Sequence, residues 1–226
     1  MKITNKFLLK RFSLLCTYLL SAREQMLMQQ IKKLPNVFID KSFELDNTSF
    51  FNINGTLKKL SIAEEVECRR YCNFYLHQDA DLTVSRNVFF NNYCSISCLG
   101  IIEIGENSIF GEGVKIYDHN HQYHTKEMKL VIERHAFTIG KVSIGKNCWI
   151  GSNVTILNNV TIGDNVIVGA NCLVTKSIPS NTIVKANAEL TIKMMDRWAV
   201  KRWIKSFLSL PMKCGVVVNS FGITLL

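Results

Sequence analysis

No stretch of this chain reaches the eighteen or so consecutive apolar residues that a membrane-spanning helix requires, which excludes an integral helical membrane protein. The chain also lacks a basic stripe through its middle. Its formal net charge is +9, yet Lys and Arg are concentrated towards the two ends and the central region is nearly neutral. Such a charge can serve nucleic acid, an anionic membrane surface or an anionic ligand. With the centre neutral, no nucleic-acid partner is expected. Histidine is scarce, at five in 226 residues, and three of the five crowd into "YDHNHQYH".

What the chain does have is a repeat. In "IGKNCWIGSNVTILNNVTIGDNVIVGANCLVTK", residues 144–176, an aliphatic residue returns every six positions: Ile144, Ile150, Ile156, Ile162, Val168 and Val174. The position after each is mostly glycine, with Gly145, Gly151, Gly163 and Gly169 interrupted by Leu157 and ended by Thr175. A helix would show a period of 3.6 and an ordinary strand a period of two, so neither explains a strict six. A short strand followed by a tight corner does. The aliphatic residue points inward, and the following glycine or Asn tolerates the corner's backbone, including positive φ.

Looser copies of the pattern precede it at Ile62, Cys68 and Phe74, at Val84, Phe90 and Ile96, and at Ile104, Phe110 and Ile116. The breaks "YLHQDADLT" and "SCLGIIE" separate these blocks without destroying the period. The spacing therefore predicts a parallel β-solenoid over 36–187, its coils stacked about 4.8 Å apart. Four of the eight cysteines fit this frame. Cys72, Cys94, Cys148 and Cys172 occupy the slot held elsewhere by Val154, Val160 and Val166, so they read as small buried hydrophobes in a reducing compartment rather than as disulfide partners.

The segment 1–35 opens with "MKITNKFLLKRFSLLCTYLLSAREQ", which imitates a secretory signal, but Lys10 and Arg11 interrupt its apolar run. Apolar spacing then continues through Met26, Leu27, Ile31 and Leu34, giving a basic amphipathic helix. Such a helix docks on its own domain or a neighbouring subunit, or lies on an anionic membrane surface. In the segment 188–226, "KMMDRWAVKRWIKSFLSL" reads as a second basic amphipathic helix capping the last coil.

The six-residue rhythm stops after Ile116 and resumes near Thr138 or Ile144. Between lies a loop, 117–138, far longer than a corner and rich in His, Tyr and charge. Long excursions from compact domains are usually functional or disordered. A histidine that titrates near neutrality suits general-base chemistry on a hydroxyl, and Asp118 stands close enough in sequence to orient an imidazole. "HNHQYH" also offers three candidate metal ligands at short spacing.

The repeat resembles the hexapeptide-repeat acyltransferases, over about two thirds of the chain. Its most specific part, "NCWIGSNVTILNNVTIGDNVIVGANCLVTKSIPSNTIV", looks like the ending of the galactoside, maltose and polysaccharide O-acetyltransferases. That resemblance implies an all-β fold, a left-handed parallel β-helix with amphipathic helices at both ends and a long loop, assembled as a homotrimer. It implies an acetyl-CoA-dependent O-acetyltransferase that acts on a sugar hydroxyl, in capsular polysaccharide or lipopolysaccharide synthesis. A cytoplasmic placement follows, with the inner face of the membrane open to the basic terminal helices.

Residue by residue, the resemblance puts His121 at the head of the loop as general base. His119 is its neighbour or a substrate contact and the next candidate for the base, and Asp118 is an orienter. Trp149 falls beside the thioester of coenzyme A, Ser152 and Ala170 along the pantetheine arm, and Thr175 and Lys176 near the adenosine end. The family usually continues with Gly-Asn-Pro-Ala where this chain has "KANAEL", and Lys193 takes the place of a phosphate contact beyond it. For the acceptor, Asn91 matches a sugar contact, and Tyr117 and Tyr123 offer rings for stacking. Acetylation of an amine on an amino sugar or xenobiotic uses the same parts, and a noncatalytic or zinc-binding β-helix is the alternative from another class. The β-helix carbonic anhydrases bind zinc through one histidine followed much later by a close pair; here His135 stands alone, so no metal is expected.

Overall fold

The computed structural model describes residues 10–15, 22–23, 26–186, 216–219 and 222–225. Residues 1–186 and 187–226 form separate compact units. In the first, helical turns at 10–15 and 26–31 precede a solenoid of parallel strands that begins at Val37 and ends at Val184. Ile31 packs against the core of the first coil, so this part of the N-terminal segment docks on its own domain.

The strands form three parallel sheets, one for each side of the coil. The first side runs Val37–Ile39, Lys59–Ile62, Asp81–Val84, Ile101–Ile104, Lys141–Ile144 and Val160–Ile162. The second runs Glu44–Leu45, Glu67–Cys68, Phe89–Phe90, Ile109–Phe110, Trp149–Ile150, Ile167–Val168 and Ile183–Val184. The third contains Phe50–Ile53, Asn73–Leu76, Ser95–Cys98, Lys115–Tyr117, Thr155–Ile156 and Leu173–Val174.

Strand register turns the six-residue period into columns. Ile62, Val84, Ile104, Ile144 and Ile162 lie in register on the first side; Cys68, Phe90, Phe110, Ile150 and Val168 on the second; Phe74, Ile96, Ile116, Ile156 and Val174 on the third. Every one of these side chains is buried. Phenylalanines fill the wide early coils, with the Phe90 and Phe110 rings stacked at 4.8 Å. Cys68, Cys72, Cys94, Cys98, Cys148 and Cys172 are free thiols, all buried among the aliphatic side chains.

The corners correct one expectation. Gly145, Gly151, Gly163 and Gly169 do not hold positive φ; Asn147, Asn153, Asn159, Asn165 and Asn171 do, two residues further on. The glycines are needed because neighbouring coils come too close for a side chain. A Cβ on Gly145 would stand 2.6 Å from the carbonyl carbon of Gly163, and one on Gly151 2.6 Å from the amide of Ala170. The asparagines combine tolerance of left-handed backbone with a hydrogen-bonding side chain. Between the first and second sides they form a ladder, Asn87 to Asn107, Asn107 to Asn147, Asn147 to Asn165 and Asn165 to Asn181, at 2.9–3.2 Å.

In the second unit, Val216–Asn219 and Gly222–Leu225 pair as an antiparallel hairpin. The helix expected over "KMMDRWAVKRWIKSFLSL" lies outside the described residues, as does Lys193.

Candidate functional site

The long excursion is an ordered antiparallel hairpin. His119–Lys126 pairs with Lys129–Ile139 around a tight turn, at which Glu127 and Met128 both take positive φ. Two left-handed residues give a turn whose twist matches the strands. A register shift between His121 and Tyr123 kinks the base of the hairpin, and the solenoid resumes at Lys141.

Asp118 joins the solenoid to the hairpin and is wholly buried. A buried carboxylate needs compensating donors. Here the amide of Leu99 donates to it at 2.9 Å and that of Gly100 at 2.8 Å. Both amides come from the corner "SCLGIIE" one coil earlier, so this break in the repeat presents two adjacent N–H groups to one carboxylate. Gly100 is required there, since a Cβ would come within 2.7 Å of the Gly140 carbonyl.

His119 completes the arrangement, with Nδ1 3.0 Å from Asp118 Oδ1 and a side chain only 14% exposed. Tyr117 and Phe137 meet its ring edge-to-face, with centroids 6.3 and 5.3 Å away. An ionised carboxylate only accepts hydrogen bonds, so Nδ1–H is the donor and Nε2 keeps a free lone pair. His121 is exposed, tilts over Phe137 at 4.6 Å and points Nδ1 at the Glu133 carbonyl, 3.0 Å away. That contact makes Nδ1–H the donor here too, but no carboxylate backs it. His124 pairs with Glu133 at 3.5 Å, while Tyr123 stands on the outer hairpin, 74% exposed. Among the described residues no three His, Cys, Asp or Glu side chains converge as a metal set.

The residues matched to the donor fall in two places. Trp149 projects from the second side, 56% exposed, in register with Ile109 and Ile167. Beside it the corner between the second and third sides is lined by Gly111, Gly151 and Gly169, with Ser152 and Ala170 next along; the Asn171 amide donates to the Ser152 carbonyl at 2.8 Å. No bulky side chain interrupts this strip. Thr175 and Lys176 lie at the following corner, where with Lys185 and Leu173 they line an open hollow of about 400 Å³. Asn91 sits at the same corner as Ser152 but in an earlier coil, its Oδ1 accepting from the Asn92 amide at 2.9 Å.

Residues 141–176 match the bacterial transferase hexapeptide family over six repeats. The repeat of these coils is the one that family's model describes. No curated relative matches the chain. Among solved structures, a variant of AntD, an N-acyltransferase from Bacillus cereus in complex with dTDP-4-amino-4,6-dideoxyglucose and coenzyme A, is 20% identical; the match covers 83% of this chain and 97% of that one, with a TM-score of 0.51. A maltose O-acetyltransferase from Clostridium difficile 630 is 26% identical over 64% of this chain and 71% of its own, with a TM-score of 0.34. The hexapeptide fold is thus shared with the Bacillus cereus protein.

Two residues at the pair escaped the sequence reading. His77, at the preceding corner of the same edge, has its pKa lowered, first by burial and then by the charge of His119. Burial, followed by the nearby Asp118, pushes the Cys98 thiol up. Their only signal was that "YLHQDADLT" and "SCLGIIE" break the repeat at the same side of successive coils.

Proposed function

We propose that the protein is an acyltransferase that moves an acetyl group from acetyl-CoA to a sugar hydroxyl, with His119 as general base and Asp118 as its orienter. The buried Asp118–His119 pair carries this reading. His119 Nε2 takes the proton of the acceptor hydroxyl; the oxygen attacks the thioester carbonyl; the tetrahedral oxyanion collapses, and the coenzyme A thiolate leaves and is protonated by the imidazolium. Asp118 holds the ring in the required tautomer and stabilises its positive charge. Transfer is direct, since Cys98, the nearest thiol, is buried and held protonated.

Trp149, with Ser152 and Ala170 along the glycine-lined corner, is the surface proposed for the thioester and pantetheine arm; Thr175 and Lys176 are proposed for the nucleotide end. Asn91, Tyr117 and Tyr123 remain the proposed acceptor contacts. Ile109, Ile167 and Ile183 are exposed apolar side chains on the second side, which supports a homotrimer with the reacting groups meeting between subunits. The acceptor class we propose is the sugars of capsular polysaccharide or lipopolysaccharide.

The test is acetyl transfer from acetyl-CoA to a panel of hydroxyl and amino sugars by wild type, His119→Ala and His121→Ala. Loss of about 10² to 10⁴ in rate is expected for His119→Ala alone. The same loss confined to His121→Ala would move the base to His121, and transfer only to amino sugars would replace the hydroxyl by an amine.

A further inference from the structure

At the corner between the second and third sides, two early coils break the pattern of the others. The column that reads Gly113, Asn153 and Asn171 in the later coils reads Tyr71 and Tyr93 in the earlier ones, and all five residues have positive φ. Left-handed backbone is tolerated by glycine and asparagine and strained for an aromatic residue. Strain kept at successive positions signals a use for the side chain.

The side chains are placed for one. The Tyr71 and Tyr93 rings stack at 5.0 Å and 11°, yet both remain exposed. They fill no core position, and neither hydroxyl has a hydrogen-bond partner among the described residues. The next residue in the column, Gly113, brings no side chain beside the Tyr93 ring. Alongside lies a polar hollow of about 350 Å³ lined by Asp46, Arg69, Arg70 and Asn92. Arg70 meets Asp46 at 3.9 Å, Arg69 meets Glu67 at 3.6 Å and packs 5.0 Å over the Phe89 ring, and Asn92 Oδ1 accepts from the Arg70 amide at 3.2 Å. Asp46 and Glu67 each pair with one of the two arginines, so the four side chains together carry no net charge and exert no net pull on an anion.

We infer that this corner is a carbohydrate-binding site, in which the stacked Tyr71–Tyr93 pair supports the apolar face of a sugar ring and Asp46, Arg70 and Asn92 hydrogen-bond its hydroxyls. An exposed aromatic platform beside planar polar groups fits a pyranose, which has one C–H-rich face and a rim of hydroxyls; a lipid would find no apolar groove here, and a nucleotide phosphate would find no unbalanced cation. This inference does not rest on the acyltransferase reading, since a glycan can be held here with or without transfer.

The variant that tests it is Tyr71→Asn/Tyr93→Asn in the full chain, because Asn is the residue the other corners use at this φ. The double variant is expected to fold with an unfolding midpoint equal to or above wild type, and its retention on an array of immobilised neutral and acidic oligosaccharides is expected to fall at least tenfold. Acetyl transfer from acetyl-CoA by the wild type is read separately from retention on the array, so failure of the transfer reading and failure of this site are distinguishable. Absence of wild-type binding to every oligosaccharide overturns the inference, as does binding that is unchanged in the double variant. So does a change in sedimentation with binding intact, which makes the tyrosines a subunit contact.

Discussion

His119 presents Nδ1 to a carboxylate, that of Asp118, which has no solvent contact and is fixed by two backbone amides. The carboxylate therefore cannot turn away from the ring, and one substitution should be felt in both catalysis and folding. Asp118→Asn keeps the volume but presents an amide where Nδ1–H and the Leu99 and Gly100 amides need acceptors. A rate loss of about 10² or more in kcat is expected, with about 1–3 kcal/mol of stability lost through unsatisfied buried donors. If the two residues act as a unit, Asp118→Asn combined with His119→Ala loses no more activity than His119→Ala alone. Steady-state kinetics of the three variants, with urea unfolding, make the measurement.

The glycine column between coils makes a graded prediction. A Cβ at Gly151 meets the Ala170 amide at 2.6 Å and the Val168 carbonyl at 2.8 Å, all backbone that cannot move without disturbing the ladder. At Gly169, in the same column, the nearest atoms are at 3.3 and 3.4 Å near the end of the solenoid. Gly151→Ala should lower the unfolding free energy by about 1–3 kcal/mol, and Gly169→Ala by clearly less. Equal losses at the two positions would show that backbone conformation, rather than coil spacing, demands glycine.

The coils were legible because their signal is local and repeated. Ile144 to Val174 recur at one interval and land in register, each column on one side of the coil. The corner chemistry was half legible: Asn and Gly both appear at fixed offsets, but only stacking distances reveal that Asn147 carries the left-handed backbone while Gly145 clears room for Gly163. Least legible was the Asp118–His119 pair. The sequence offers His119 and His121 two residues apart and the resemblance favours His121; the burial of His119 and the Leu99 and Gly100 amides that hold its carboxylate, contributed by another coil, favour His119 instead. No local pattern encodes such a contact.

His77 predicts the sign of one pH dependence of the fold. Burial, then the charge of His119, lowers its pKa, so the folded chain holds fewer protons than the unfolded one just below the ordinary histidine value of 6.5. Stability should therefore be greatest above about pH 6.5 and fall as the solution is acidified through that value towards the lower folded pKa. His77→Gln, which cannot take up a proton, should flatten the dependence of the unfolding midpoint between pH 7 and pH 5. A wild-type midpoint that rises on acidification in that window would reverse the sign and contradict the assigned cause.

Trp149 separates ligand binding from folding. Its ring is 56% exposed while its backbone pairs with Ile109 and Ile167 in the middle of the second side. Removing the ring leaves the ladder intact and opens no cavity in the core, so Trp149→Ala should unfold at the wild-type midpoint. If the ring shields the thioester end of the donor, calorimetric titration should show acetyl-CoA binding at least tenfold weaker, about 1.4 kcal/mol, with sedimentation unchanged. If the ring is a subunit contact instead, affinity per folded site stays the same and the assembly dissociates at low concentration. The two readings move different observables, so one titration and one sedimentation series on the same variant decide between them.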